Sequence, residues 1–321
     1  MYLVIFYHYA YYTGVSREPS LLWNTMAIVS SFIMPYFYII SGALYRPVSV
    51  TVAIKKGWTQ LLKPYLLINM LVLPLYTVAT GISLESIWRQ LLGIVSGVDL
   101  LNATGNWATP LWFCFSLFFV KVLYSLLYSL LKWVGIAIGC AVGISIMYVG
   151  NILPLLLDTS LVGFVFFAMG HVLSRPLMNM KDTGGFVRAG IILAALVLLA
   201  IALYLENIDS QHLLIIRLIQ FGPYPLLYLL CGFAGTIAFI AAATFIPSGF
   251  AKSVFLTFSN GLIIVLGFHG TVYHTLFSWW LSFNNTLVAA VSAAVVLMLC
   301  YPLILLAAKY WPSLMGNRRL S

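Results

Sequence analysis

The chain has 321 residues, of which 63% are hydrophobic and only 7% are charged. A soluble domain carries about 25% charged residues, so this composition excludes a water-soluble globular protein and indicates a protein with several membrane spans. The formal net charge of +9 comes from lysines and arginines scattered over short loops, which argues against a nucleic-acid partner.

Ten apolar segments approach the length of about 20 residues that a membrane-spanning helix needs. They cover residues 1–14, 24–45, 61–81, 110–131, 133–150, 157–174, 188–205, 224–246, 254–277 and 286–308, and the first is short for a full span. Two shorter stretches, 84–98 and 211–221, have apolar residues at helical spacing and are predicted to form interfacial helices. We therefore predict an all-α integral membrane protein with about ten transmembrane helices, in a single domain over residues 1–321.

The distribution of positive charge predicts the orientation of these spans. If the N-terminus is cytoplasmic, twelve of the sixteen lysines and arginines lie on the cytoplasmic side or at helix ends there. Three, Arg17, Arg89 and Arg217, lie outside, and Lys121 lies within a span. This asymmetry satisfies the positive-inside rule and predicts that both termini are cytoplasmic.

Few ionisable side chains lie at membrane depth, where each is costly and needs a reason. His8 lies within the aromatic run YLVIFYHYAYY, and is either a general base or an imidazole hydrogen-bonded to a neighbouring helix. Lys121 shares a helix face with Tyr124, Ser125 and Tyr128, and either reaches toward the cytoplasmic headgroups or holds an anion in an internal cavity.

A third candidate, His269, closes the segment FSNGLIIVLGFHG and is the better functional candidate of the two histidines in this span. His274 follows it by five residues, a spacing that puts the two rings on different helix faces and argues against a metal pair. The four cysteines lie singly in apolar runs without metal-ligand spacing. We therefore predict no metal site.

The order of several motifs resembles that of a known family. The segments are HYAYY, FIMPYFYIISGALYRP, KKGWTQLLKPYLL, TPLWFCFSLFFVKVLY, FVFFAMGHVLSR and FSNGLIIVLGFHG. In this order and spacing the chain resembles the acyltransferase-3 family of polytopic O-acyltransferases, and most closely its sugar O-acetylase branch. The resemblance implies about ten helices, acetyl-CoA as a donor taken from the cytoplasm rather than a tightly bound cofactor, and a glycan acceptor at or beyond the outer membrane face.

The resemblance also implies roles for individual residues. The first-span histidine, His8, becomes the essential base. Ser41 and Gly42, at the end of the second span, and the loop lysines Lys55, Lys56 and Lys63 become candidates for binding acyl-CoA, the lysines through its phosphates.

The chain departs from the family pattern at two places. Family members carry a basic segment before the first helix, so we expect an N-terminal lead-in to be missing. Gln60 and Gly57 stand where the family tends to have arginines, and lysines are shifted to Lys56 and Lys63. We predict a membrane O-acetyltransferase of the bacterial inner membrane. The alternatives are an exporter or flippase of a lipid-linked saccharide and a non-catalytic family member.

Overall fold

A computed structural model describes residues 1–12, 20–81, 83–97, 106–150, 153–206, 214–246, 249–277 and 285–316. In these ranges the protein is built from α-helices, and the one strand-like pairing is an isolated bridge between Ile215 and Gln220. The helices are α1 (Tyr2–Tyr12), α2 (Leu21–Ala43), α3 (Val50–Gly57), α4 (Lys63–Thr80), α5 (Leu84–Ser96), α6 (Trp112–Val149), α7 (Leu157–Val172), α8 (Ser174–Asn179), α9 (Gly185–Leu205), α10 (Pro225–Ala243), α11 (Phe250–Asn260), α12 (Leu262–Leu276) and α13 (Thr286–Tyr310). The predicted all-α class is confirmed.

Six helical stretches among the described residues are long and apolar enough to cross a membrane. Two further pairs pass the same test only when their helices are taken together, because each pair is sharply bent. The bend is 62° between α7 and the segment Ser174–Asp182, and 81° between Lys252–Asn260 and α12. The structure therefore supports six to eight spans, while the count of ten and the cytoplasmic placement of both termini stay predictions.

The difference between eight observed candidate spans and ten predicted spans concerns two helices: α1, which has only 11 residues, and α6, which has 38. Helix α6 is broken at Lys132, whose backbone leaves the helical region with φ 52° and ψ −131°. Across this break, a Cβ on Gly139 would lie 2.9 Å from Cδ1 of Leu127. In a straight helix these residues would be about 18 Å apart along the axis. Helix α6 is therefore a hairpin, and its arms, 112–131 and 133–149, correspond to the predicted fourth and fifth segments.

Helix α7 lies at the centre of the bundle, packed against both α6 and α2. A Cβ on Gly42 of α2 would overlap the backbone carbonyl of Phe167, and a Cβ on Gly170 of α7 would overlap that of Ile39. The two helices therefore cross at backbone contact distance, which only residues without side chains permit.

A buried chain of hydroxyl groups joins the same three helices. The Tyr38 hydroxyl of α2 lies 2.7 Å from Oγ of Ser116 in α6, and that atom lies 3.0 Å from Oγ of Ser160 in α7. Ser160 Oγ also donates to the Leu156 carbonyl. Hydrogen bonding satisfies these polar groups where water is excluded, so the chain fixes the relative positions of α2, α6 and α7.

The two predicted interfacial helices have different outcomes. Residues 84–96 form α5, so the predicted helix is confirmed, while its position at the membrane interface stays a prediction and residue 98 lies outside the described ranges. Residues 214–221 instead form a compact turn, in which one 3₁₀ turn at Ile216–Leu218 is closed by the Ile215–Gln220 bridge. The second prediction is therefore wrong for these residues, and its residues 211–213 lie outside the described ranges. The physical reason is that the turn buries Leu214, Ile216, Ile219 and Phe221, which a helix would place on several faces.

Candidate active site

A cavity of about 820 Å³ lies between α1, α2, α4, the start of α6, α12 and the turn at 214–218. Its volume falls in the range of about 300–1,000 Å³ that is typical of pockets for small ligands. Aromatic side chains form much of the wall: Tyr7, Tyr12, Phe37, Tyr76, Trp107, Trp112 and Phe113. The polar residues on the wall include His8, Ser30, Asn106, Thr109, Arg217 and His274.

The ring of His8 lies on this wall in a defined orientation. Its Nδ1 is 2.9 Å from the carbonyl oxygen of Val4, one turn earlier in α1. A carbonyl oxygen can only accept a hydrogen bond, so Nδ1 carries the proton in this arrangement. The other ring nitrogen, Nε2, is then the basic one, and His8 is a general-base candidate with its tautomer already selected.

His269 stands directly beside His8. The two ring centroids are 4.9 Å apart, and the ring planes are inclined by 47°. His269 is fully buried, and its Nδ1 lies 2.8 Å from the Val265 carbonyl, so it has the same tautomer as His8. Its Nε2 is buried and has no hydrogen-bond partner among the described residues. The structure thus places His269, the better functional candidate of the two histidines in its span, next to the candidate base, while its role stays a prediction.

A row of aromatic rings forms one side of the cavity. The Trp107 indole stacks on the His274 imidazole with centroids 5.3 Å apart, and His274 in turn contacts Tyr12 with centroids 4.8 Å apart. Tyr76 meets Trp107 edge to face at 5.4 Å. Aromatic side chains that present a ring face to a cavity suit the C–H faces of a sugar ring, because the π face carries negative charge density.

The turn that precedes α6 holds Trp107 in place through Asn106. The Asn106 side chain donates to Oδ1 of Asn69 at 3.2 Å, and its own Oδ1 accepts from the Ala108 amide at 2.8 Å. Gly270 of α12 lies against the Trp107 carbonyl, and a Cβ there would overlap it. The glycine that follows His269 in the motif thus lets α12 approach the residue that carries the aromatic wall.

Arg217, on the turn at 214–218, was not predicted as a site residue, yet it lines the cavity together with His8. The turn is closed by hydrogen bonds in both directions between Ile215 and Gln220, 2.8 and 3.1 Å long. The Arg217 carbonyl accepts from the Thr159 hydroxyl of α7 at 3.3 Å. Two sequence signals could have found this residue: the Gly-Pro pair that ends the segment marks a turn, and Arg217 is one of only three basic residues predicted on the outer side.

The residues predicted to bind acyl-CoA lie elsewhere. Lys55, Lys56 and Lys63 are all exposed, around the junction of α3 and α4. Gly42 is buried in the crossing of α2 and α7, so the structure accounts for it by helix packing, and Ser41 beside it is partly exposed. The role of these five residues in acyl-CoA binding stays a prediction.

Lys121 is partly buried in the first arm of α6 and is not among the described residues that line the cavity. Its helix face continues into a second aromatic group. There the Tyr124 hydroxyl lies 2.6 Å from Nδ1 of His171, and the Tyr45 hydroxyl lies 2.5 Å from Oγ of Ser125. The prediction that Lys121 lines a cavity stays untested.

Apolar helices around a cavity with polar and aromatic walls define a multi-pass membrane protein, and the cavity is large enough for a small ligand. A family model described as an acyltransferase domain, that of the acyltransferase-3 family, matches residues 1–306. The chain therefore belongs to this family and is a membrane acyltransferase, as its motifs indicate. Neither the curated proteins nor the solved structures give a match to the chain.

Proposed function

We propose that this protein is a membrane O-acyltransferase that transfers acetyl from acetyl-CoA to a sugar hydroxyl of a cell-surface polysaccharide or lipid-linked glycan. One observation carries the proposal: His8 lies on the wall of an aromatic cavity with Nδ1 bound to the Val4 carbonyl, which leaves Nε2 as the base. Family membership supports acyl transfer, and the aromatic wall favours a sugar as the acceptor.

The proposed chemistry needs one base and no bound cofactor. Nε2 of His8 removes the proton from the acceptor hydroxyl as the oxygen attacks the thioester carbonyl. The C–S bond then breaks, the leaving thiolate takes the proton from the imidazolium, and the products are the acetyl ester and free CoA. His269 is close enough to His8 to influence the orientation of the ring.

The position of the lysines supports a donor that arrives from the end of α4 opposite the cavity-lining Thr80. Lys63 begins α4 and Thr80 ends it, and Thr80 lines the cavity. Seventeen steps of 1.5 Å place these ends about 25 Å apart, close to the thickness of a bilayer core. In the proposed topology of ten spans with both termini cytoplasmic, in a bacterial inner membrane, the lysines face the cytoplasm and the CoA phosphates.

The test is acetyl transfer by the purified full chain in detergent, measured as free CoA released in the presence of glycan extracted from the source cell surface. The proposed function requires glycan-dependent CoA release and an acetyl ester detectable by mass spectrometry. Deletion of the gene should remove that ester while the glycan still reaches the surface. Loss of the glycan itself from the surface would instead support an exporter. If the deletion removes neither the ester nor the surface glycan, the result would support a non-catalytic family member.

The lysine assignment has its own test. Replacing Lys55, Lys56 and Lys63 together with alanine should weaken acetyl-CoA binding, because exposed charges attract the phosphates. Binding by the wild type should also weaken as salt is raised, since salt screens such charges. An unchanged affinity in the triple variant would remove these lysines from the donor site.

A further inference from the structure

The ring of His269 has one polar atom that is left without a partner. His269 is fully buried, and its Nδ1 is bound to the Val265 carbonyl, whereas its Nε2 is buried with no hydrogen-bond partner among the described residues. A buried polar atom that makes no hydrogen bond lowers stability, and such atoms are rare in folded proteins. An unpaired acceptor inside the bundle therefore needs a reason that packing alone does not give.

Among the rings that the structure describes, the one nearest to the ring of His8 is that of His269. Their centroids are 4.9 Å apart, whereas the centroids of Tyr7 and Tyr12 lie 5.5 and 6.1 Å from that of His8. Both imidazoles donate through Nδ1 to the backbone carbonyl one turn earlier, so both carry a lone pair on Nε2. Two acceptors cannot bond to each other. The pair therefore gains a hydrogen bond only when a proton arrives at one of the two Nε2 atoms.

The proposed reaction delivers such a proton. When Nε2 of His8 takes the hydrogen of the acceptor hydroxyl, the ring becomes an imidazolium and both of its nitrogens become donors. In the Ser-His-Asp triad, a carboxylate at Nδ1 stabilises the charge of the protonated base. The Nδ1 of His8 is instead bound to the neutral carbonyl of Val4, so no anion offsets the charge at that nitrogen. The acceptor on the neighbouring ring is placed to stabilise it from the other side.

We propose that His269 is a positioning residue, whose Nε2 accepts a hydrogen bond from the protonated Nε2 of His8 and stabilises the imidazolium during acyl transfer. This inference rests on the proposed function and adds a residue to its mechanism. The O–H bond of the acceptor breaks as its proton moves to His8, and the imidazolium shares this proton with His269. The leaving thiolate then takes the proton as the C–S bond breaks, so His269 begins and ends the cycle as the same neutral tautomer.

The pairing of the two rings is tested without turnover, by NMR of the purified full chain with ¹⁵N-labelled histidines. The variants His8→Gln and His269→Asn assign the Nε2 signals of the two rings. As the sample is acidified and His8 gains its proton, we expect the His269 Nε2 signal to move at the same pH toward the value of a hydrogen-bonded nitrogen. In His8→Gln it should no longer move there. A His269 Nε2 signal that stays unchanged while wild-type His8 becomes protonated would overturn the proposal.

Transfer kinetics test the role of the pairing. An asparagine amide can replace the Nδ1 donor of His269 but offers no acceptor where Nε2 lies, whereas the longer glutamine can place its carbonyl oxygen there. His269→Asn should lower kcat for CoA release about 10- to 100-fold, the factor expected for a hydrogen bond to a charged group. The KM for acetyl-CoA should stay within about twofold, because the interaction forms only during transfer. His269→Gln should retain a higher kcat than His269→Asn.

Tyr273→Phe is the matched control. Tyr273 lies one turn after His269 in α12, and its buried hydroxyl also has no partner among the described residues, so its removal should leave kcat unchanged. A kcat in His269→Asn above about half of the wild-type value would overturn the proposal. So would an equal fall in kcat in His269→Asn and Tyr273→Phe, which would make the effect one of packing in α12. Wild-type protein that shows the coupled histidine signals but releases no CoA would contradict the proposed function instead.

Discussion

Replacing His8 with glutamine separates its chemical role from its structural one. The introduced amide can still donate a hydrogen bond toward the Val4 carbonyl, but it cannot take a proton from a hydroxyl near neutral pH. Loss of a general base typically lowers the rate by a factor of about 100 to 10,000, equivalent to about 3–5 kcal/mol of barrier. Loss of the hydrogen bond alone would cost only about 0.5–1.5 kcal/mol of stability.

The assay is CoA release with the purified His8→Gln protein, at matched membrane abundance and with thermal unfolding measured in parallel. The matched control is His171→Gln, since His171 also bonds a partner through Nδ1, the Tyr124 hydroxyl, but is not among the described residues lining the cavity. The control should lose stability while it retains transfer. Transfer above a tenth of the wild-type rate in His8→Gln would refute the role of His8 as base, and an equal loss in both variants would make the effect structural.

Three further predictions address the bundle around the site. Gly170→Ala, whose Cβ would overlap the Ile39 carbonyl, should lower the thermal stability by about 1–3 kcal/mol, whereas Gly190→Ala, with nothing within 4 Å, should not. Burial raises the pKa of Glu206 from 4.5 to about 7, so the folded protein retains a proton that the unfolded chain loses. Unfolding temperatures should therefore fall as the pH rises from about 4.5 to 7, and Glu206→Gln, which mimics the protonated form, should flatten that fall, unlike the exposed control Glu85→Gln. Reporters fused at Asp158 and at Lys181 should lie on opposite sides of the membrane, and a shared side would refute the proposed topology.

Much of the architecture follows from the sequence, because a continuous apolar run of about 20 residues can satisfy its own backbone hydrogen bonds in lipid as a helix. The hairpin within α6 shows this well. The two apolar segments on either side of Lys132 could be told apart because a lysine is costly in the bilayer core and is placed at its edge. The bend of 81° between α11 and α12 was not predicted, although it falls at the Asn260–Gly261 pair, a dipeptide that commonly marks a turn.

Some residues of the candidate site could be predicted from the local sequence pattern, whereas others are brought there only by tertiary contacts. His8 could be predicted because a lone imidazole in an aromatic helix needs a reason. Arg217 was missed because the apolar spacing of its segment was interpreted as an amphipathic helix, in spite of the turn signal of the Gly-Pro pair that ends the segment. In the structure, the burial of side chains such as Ile216 and Phe221 holds the segment as a turn. The family resemblance did not reveal it either.

The pair of adjacent histidines, His8 and His269, comes from the two ends of the chain. His8 comes from α1, which packs against α13, where the Tyr2 hydroxyl donates to the Ala290 carbonyl at 3.1 Å. His269 comes from α12, which also packs against α13 and reaches the aromatic wall only because Gly270 lets it lie against Trp107. The distance between the two imidazoles therefore depends on helix packing rather than on any short motif. A site of this kind responds to a shift of α12, so substitutions at Gly270 should reduce transfer although they leave both histidines in place.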